Sequence, residues 1–208
     1  MFPSPDNRQI TENEKLRVLV VDDEPTLRLG FAYALSSRGT VVETAATGRL
    51  ALERMKETNF DIMILDLRMP ELDGSGVIET LRNAGNSIPI ILCSAVINPK
   101  AALRAIRHGV VDFLLKPVRP TELREVVKSV ICPDGSPLQS ALKAARSQRF
   151  EEAIGILEAA RTQDRQITYW LSIFRCIHET DGTGGTHYLE ETLHAGLSVL
   201  AFNAPVTL

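Results

Sequence analysis

Four short apolar runs, each closed by polar or charged residues, constrain this fold more than anything else in the sequence. Residues 16–21 (LRVLVV) run into Asp22, Asp23 and Glu24, and 62–65 (IMIL) into Asp66. Residues 88–92 (IPIIL) run into Cys93 and Ser94, and 110–115 (VVDFLL) into Lys116 and Pro117. Segments so short and apolar have no polar face to offer water. They read as strands buried on both sides, the habit of parallel sheets. A shorter β-rich segment lies at 41–44. Between the runs the apolar period changes to that of a helix. Stripes appear over 26–37 (Leu27, Phe31, Leu35), 48–58 (Ala51, Met55), 74–83 (Val77, Ile78, Leu81), 99–108 (Ala102, Ile106) and 121–131 (Leu123, Val126, Val127). Gly39, Gly85 and Gly109 follow expected helix ends, where a left-handed cap suits glycine. Strand and helix alternate five times. This predicts an α/β fold, a doubly wound five-stranded parallel sheet with helices on both faces.

The alternation breaks at CPDGSPLQ, 132–139, and everything beyond reads as helix. The chain is therefore expected to divide into an N-terminal tail (1–14), an α/β domain (15–132) and a small all-α region (133–208). Charge divides along the same line. Of 23 basic and 26 acidic residues, six basic and nine acidic ones fall in 133–208, so the first part balances and the helical part carries the whole net charge of −3. No stretch approaches the roughly 18 apolar residues that cross a bilayer, and the polar, proline-bearing start MFPSPDNRQI lacks a signal-peptide run. Cys93, Cys132 and Cys176 are odd in number and have no metal-ligand spacing, so reduced thiols in a cytoplasmic protein are expected.

In an open α/β sheet, ligands gather at the carboxyl ends of the strands. There the predicted topology brings together Asp22, Asp23 and Asp66, with the Ser94 hydroxyl and the Lys116 ammonium. Taken singly, each has a plain structural use as a helix cap or turn residue. Four such features at the ends of four strands point to chemistry instead. Crowded carboxylates repel one another unless a hard divalent cation neutralises them, and Mg²⁺ suits oxygen ligands with positions left for phosphate. A carboxylate in that setting can attack a phosphoryl group and form an acyl phosphate, while Lys116 and Ser94 hold phosphate oxygens.

VLVVDDEP, DIMILDLRMPELDG, PIILCSA and GVVDFLLKPV together resemble the receiver domain of two-component response regulators, over about residues 16–131. The resemblance implies that Asp66 is the phosphoacceptor. It implies that Asp23, Asp66 and the backbone carbonyl of Arg68 ligate Mg²⁺ directly, and that Asp22 acts through metal-bound water. Ser94 then matches the switch hydroxyl, Lys116 the family's lysine, Phe113 the switch aromatic, and the bond before Pro117 one that is cis. Phosphorylation would draw Ser94 toward the phosphate, let Phe113 turn inward and reshape the surface of the fourth helix, fifth strand and fifth helix. Two departures stand out. Phe113 replaces the more usual tyrosine and has no hydroxyl to offer a partner. Arg68 and Val96 occupy positions that tune water's access to the phosphoryl group.

The region 133–208 is harder to read. Dispersed basic residues and net acid argue against a DNA-reading helix. There is no HExxH, and the glycines of GTGGT (182–186) follow no strand, so they read as a helix connection. His178, His187 and His194 read as scattered surface histidines. Helical stripes run over 136–147, 150–161, 167–178 and 188–201. RFEEAIGILEAA (149–160) is similar to the second helix of a tetratricopeptide repeat, with Phe150, Ala153, Leu157 and Ala160 at the packing positions. Such repeats normally need about three copies to bury their faces, and this region has room for about two. Its apolar faces are thus expected to be covered by the first domain, a second copy or a further partner. The reading is a phosphoacceptor switch rather than a turnover enzyme. Its partners would be a histidine kinase or phosphotransfer protein and a downstream protein met by the tail. The alternatives are a receiver-controlled DNA-binding regulator and a phosphorelay intermediate.

Overall fold

The computed structural model describes residues 15–95, 99–131, 135–160 and 165–179. Five strands form one parallel sheet: β1 (Leu16–Val21), β2 (Thr40–Ala45), β3 (Ile62–Asp66), β4 (Ile90–Ser94) and β5 (Asp112–Leu115). Their order is β2-β1-β3-β4-β5. Helices α1 (Pro25–Leu35), α2 (Gly48–Glu57), α3 (Gly74–Asn83), α4 (Pro99–Arg107) and α5 (Pro120–Ile131) alternate with the strands. Three more follow: α6 (Pro137–Arg146), α7 (Phe150–Ala159) and α8 (Arg165–Glu179). The predicted sheet and its helices are therefore present. The stripe at 188–201 lies outside the described residues, as do 1–14, Val96, Cys132, 182–186, His187 and His194.

The chain forms two compact units. One comprises Met1–Val96 and Arg107–Asp134, the other Ile97–Ile106 and Gly135–Leu208. In the first, chain direction across the sheet reverses at β1. Right-handed crossovers then place α1 and α5 on one face and α2 and α3 on the other. Strand alternation serves both. Val18, Val20, Ile62, Ile64, Ile91, Cys93 and Leu114 join Phe31 and Leu35 of α1 and Leu123 and Val127 of α5 in one buried cluster. The intervening Leu19, Val21, Met63, Leu65 and Leu92 are equally buried and project from the opposite face. Both faces need apolar cover, which is why these strands read as continuous runs.

The differences from expectation are local. β4 begins at Ile90, because Pro89 has no N–H for the ladder and Ile88 N–H donates instead to Asn86 Oδ1 at 2.9 Å. β5 begins at Asp112 rather than at 110. Gly85 (φ 77°) and Gly109 (φ 72°) are left-handed as predicted, but Gly39 is not among the left-handed glycines. Helix α1 stops at Leu35 on an extended Ser36, so Gly39 is no cap.

In the second unit α6 packs on α7 and α7 on α8. Of the stripes predicted there, Leu138, Ala141, Leu142 and Ala145 on α6, Ala153 and Leu157 on α7, and Trp170, Phe174 and Ile177 on α8 are buried, whereas Phe150, Ile154, Ala160 and Leu171 are half-buried. Phe174 lies between Trp170 (ring centroids 5.2 Å) and Phe150 (6.1 Å), joining α7 to α8. Ala102, Ala105 and Ile106 of α4 are buried too. Among the described residues no helix is long and apolar enough to cross a membrane.

One close approach holds the β3 edge in place. A Cβ on Gly74 would lie 2.4 Å from the Asp66 carbonyl oxygen and 2.9 Å from Leu67 Cα. Only glycine lets the first turn of α3 sit on the end of β3. Gly74→Ala is expected to cost about 1–3 kcal/mol through overpacking against backbone that cannot yield, read as a lower urea midpoint. An unchanged midpoint would refute this.

Candidate functional site

The site is built at the point where chain direction across the sheet reverses, between the carboxyl ends of β1 and β3. Asp22 follows β1 and Asp66 ends β3, so parallel neighbours deliver two acids side by side. Both are buried, with 1% and 5% of their surface exposed, while Asp23 is exposed. A carboxylate oxygen from each of Asp22, Asp23 and Asp66 lies within 4.8 Å of the others.

Lys116, one residue beyond β5, reaches across this edge. Its N–H donates to the Ser94 carbonyl at 3.0 Å, and its Nζ donates to Asp66 Oδ2 at 2.8 Å. The same ammonium lies 2.8 Å from Asp22 Oδ2. That second contact is a charge-assisted pair with a buried oxygen. One cation thus serves two buried acids. The Lys116–Pro117 peptide is cis.

The electrostatics follow from this crowding. Burial pushes the Asp66 carboxyl above its ordinary range. The hydrogen bonds from Lys116 and from Arg68 N–H (3.2 Å to Oδ1) oppose that shift, and the neighbouring Asp22 adds to it. Burial alone would lower the Lys116 pKa, but Asp22 and Asp66 more than offset it and hold the ammonium charged well above its usual range. Cys93, next to Ser94, is pushed up by burial and stays a thiol.

The residues fit a divalent cation. Three hard oxygen donors converge, and their negative charge exceeds what Lys116 offsets. This is the chemistry of a Mg²⁺ site that keeps waters or phosphate oxygens as further ligands.

The remaining predicted residues fall close by. Ser94 is buried at the end of β4, paired in register with Leu115. Phe113, paired with Leu92, lies two residues from that position and projects from the same face of the sheet. Phe113 is buried. A phenyl ring loses no hydrogen bond on burial, which a tyrosine hydroxyl there would risk. Arg68 is exposed, with its N–H on Asp66.

Sequence reasoning passed over Arg28. From the end of the first turn of α1 its Nη1 donates to the carbonyls of Asp22 (2.7 Å) and Asp23 (3.4 Å). Its position one helical turn past an acidic pair was the available signal.

Comparison with known proteins bears on this site. A family model described as the response regulator receiver domain matches residues 18–128. A probable transcriptional regulator of Porphyridium aerugineum is 36% identical over 118 residues, covering 57% of this chain and 49% of its own. The regulatory protein LuxO of Vibrio vulnificus is 31% identical over 180 residues, covering 85% of this chain and 39% of its own. The chain thus spans less than half the length of these two relatives. Among solved structures, a chemotaxis response regulator of Vibrio cholerae superposes with a TM-score of 0.52 at 30% identity, over 56% of this chain and 98% of that one.

Because the Asp66 carboxyl is raised in the folded state, the fold binds its proton more tightly than the unfolded chain does. The stability it lends is present below the unfolded value of about 3.9 and is lost as pH rises through the folded value. In EDTA, the stability of Asp66→Asn relative to wild type is therefore expected to grow as pH rises from about 4, then level off. Urea unfolding across pH checks this, and a gap that narrows with rising pH rejects it.

Proposed function

The chain belongs to the family of response regulator receiver domains, and on that premise we propose that it is a phosphorylation switch with Asp66 as its phosphoacceptor. The observation that carries this reading is the Lys116 ammonium, 2.8 Å from both Asp66 Oδ2 and Asp22 Oδ2. The donor would be the phosphohistidine of a histidine kinase or phosphotransfer protein. A carboxylate oxygen of Asp66 attacks the phosphorus in line. The P–O bond forms as the P–N bond breaks, and the imidazole leaves with the bonding pair and takes a proton from water. Asp22, Asp23, Asp66 and the Arg68 carbonyl would hold Mg²⁺, which when bound offsets the charge of the carboxylates and the phosphoryl oxygens. Lys116 keeps its charge throughout and passes from Asp66 to a phosphoryl oxygen. Ser94 offers its hydroxyl to another. Each chain takes one phosphoryl group, so this is a switch and not a turnover enzyme.

The output is read through protein contacts of the helical region. Its helices pair in sequence, α6 with α7 and α7 with α8. The turn before α7 is closed by Gln148 at φ 59°, with Arg149 N–H on the Ala144 carbonyl at 3.1 Å. Ala153 and Leu157 are buried on α7 and Phe150 meets Phe174, which supports the tetratricopeptide-like reading. A receiver-controlled transcription regulator is the second reading, favoured by the name of the Porphyridium relative. The net acid of the region after 132 weighs against it.

Incubated with Mg²⁺ and a small acyl-phosphate donor, the wild type is expected to take label, and Asp66→Asn to take none. Equal labelling of the variant would exclude the assignment. Phe113→Tyr places a hydroxyl in a fully buried site. It is expected to lower unfolding stability by about 1–3 kcal/mol or to turn the ring outward, seen as new tyrosine fluorescence quenching by acrylamide. Neither change would mean that the ring site is polar.

A further inference from the structure

Arg28 stands where a helix disfavours it. It is the fourth residue of α1 and its N–H closes the first turn, which holds no acidic residue. The partial positive charge of a helix N-terminus opposes a cation there. The Asp22 and Asp23 carbonyls, 2.7 and 3.4 Å from Arg28 Nη1, offset that, with the three carboxylates beyond them.

The loop between β1 and α1 must aim two acids that are held very differently. Asp22 is secured on every side. Its N–H donates to the Ala45 carbonyl at 3.2 Å, its Oδ1 accepts from Glu24 N–H at 2.9 Å, and its Oδ2 meets Lys116 at 2.8 Å. Asp23 is exposed and belongs to the same oxygen cluster. The direction of its side chain follows from the backbone that bears it. The Asp22–Glu24 peptides are tied from α1 through Arg28, whose own N–H also donates to the Glu24 carbonyl at 3.0 Å. Both bonds leave one nitrogen, Nη1, so a single end of the guanidinium bridges the two adjacent carbonyls, with the shorter bond to Asp22.

We propose that Arg28 is a positioning residue for divalent-cation binding: it clamps the Asp22 and Asp23 carbonyls and so presents the Asp23 carboxylate to the acidic pocket. The proposal rests on the reading of that pocket as a Mg²⁺ and phosphoacceptor site. Arg28 touches neither the phosphoryl group nor Asp66. Its effect therefore belongs to cation affinity and not to the transfer step.

The test uses the full chain and Mg²⁺ itself. Calorimetric titration is expected to give a dissociation constant about tenfold weaker for Arg28→Met than for wild type, the range seen when a residue that orients a ligand is lost. Arg28→Lys, which keeps a cationic donor on a shorter side chain, should recover part of the loss. The Mg²⁺ concentration for half-maximal labelling by acetyl phosphate should rise in parallel, while the rate at saturating Mg²⁺ stays within about twofold. A destabilised fold would instead lower the labelled fraction at every Mg²⁺ concentration, and that pattern overturns the proposal. So does an unchanged affinity, or a tighter one, which would make Arg28 merely a competing charge. A wild type that takes label on Asp66, with Arg28→Met indistinguishable from it, ends this inference alone. A wild type that binds no Mg²⁺ ends both it and the reading beneath it.

Discussion

One ammonium group between two buried carboxylates governs how this molecule is put together at its reactive edge. Asp22 and Asp66 arrive on neighbouring parallel strands, so their proximity is a consequence of sheet register and not of loop choice. Two carboxylates withdrawn from water cannot both ionise cheaply without a countercharge. Lys116 supplies it from the end of β5, two strands away from Asp66 in the sheet order. The contact therefore links three of the five strand ends. Sequence segments nearly a hundred residues apart must be correctly paired before it forms. The interaction is also one that chemistry can exchange, because a phosphoryl oxygen on Asp66 offers Lys116 a stronger partner than the bare carboxylate does.

The strands and helices of the first 131 residues were legible because each signal was redundant. Ile62–Asp66 is apolar on both faces, is followed by the Pro70–Gly74 turn, and leads into a clean helical stripe at Val77, Ile78 and Leu81. The acids were legible for the same reason, since they sit where apolar runs stop. What escaped was set by geometry between elements. Nothing in the order of residues says that Arg28 turns back to the Asp22 carbonyl, because an arginine in a helix reads as surface. Nor does composition say that Phe113 is already inside, since an aromatic on β5 is compatible with either side of the switch. The end of α1 was misplaced because Gly39 looked like a cap, whereas the chain turns at Ser36 through backbone bonds to Ala32 and Tyr33.

The helical region was legible as helices and not as an output. Its stripes at Leu138, Leu142, Leu157 and Phe174 fold into a common core, as the period implied. Compactness follows a different line from sequence order, however. Ile97–Ile106, between β4 and β5 in the chain, belongs to the unit formed with Gly135–Leu208. A helix bracketed by two sheet strands is covalently tied to them at both ends, yet its own buried residues, Ala102, Ala105 and Ile106, are small enough to admit close helix packing. The strand that precedes it ends in Ser94, and the strand that follows it carries Phe113.

That placement changes what a missing hydroxyl means. In a switch read through a tyrosine, the partner can sense the ring by a hydrogen bond. With Phe113 the ring can be sensed only by the space it fills. On the proposed function, phosphorylation acts first at Asp66. Its leverage lies in Ser94 and in the charge that Lys116 answers, both at strand ends adjoining the connections to α4 and α5. Phosphorylation of Asp66 would exchange one carboxylate charge for about two on the phosphoryl oxygens, a net gain of about one negative charge at this edge. Since Lys116 is already committed to two acids, the added charge must draw on Ser94, backbone N–H groups and a bound cation for its balance.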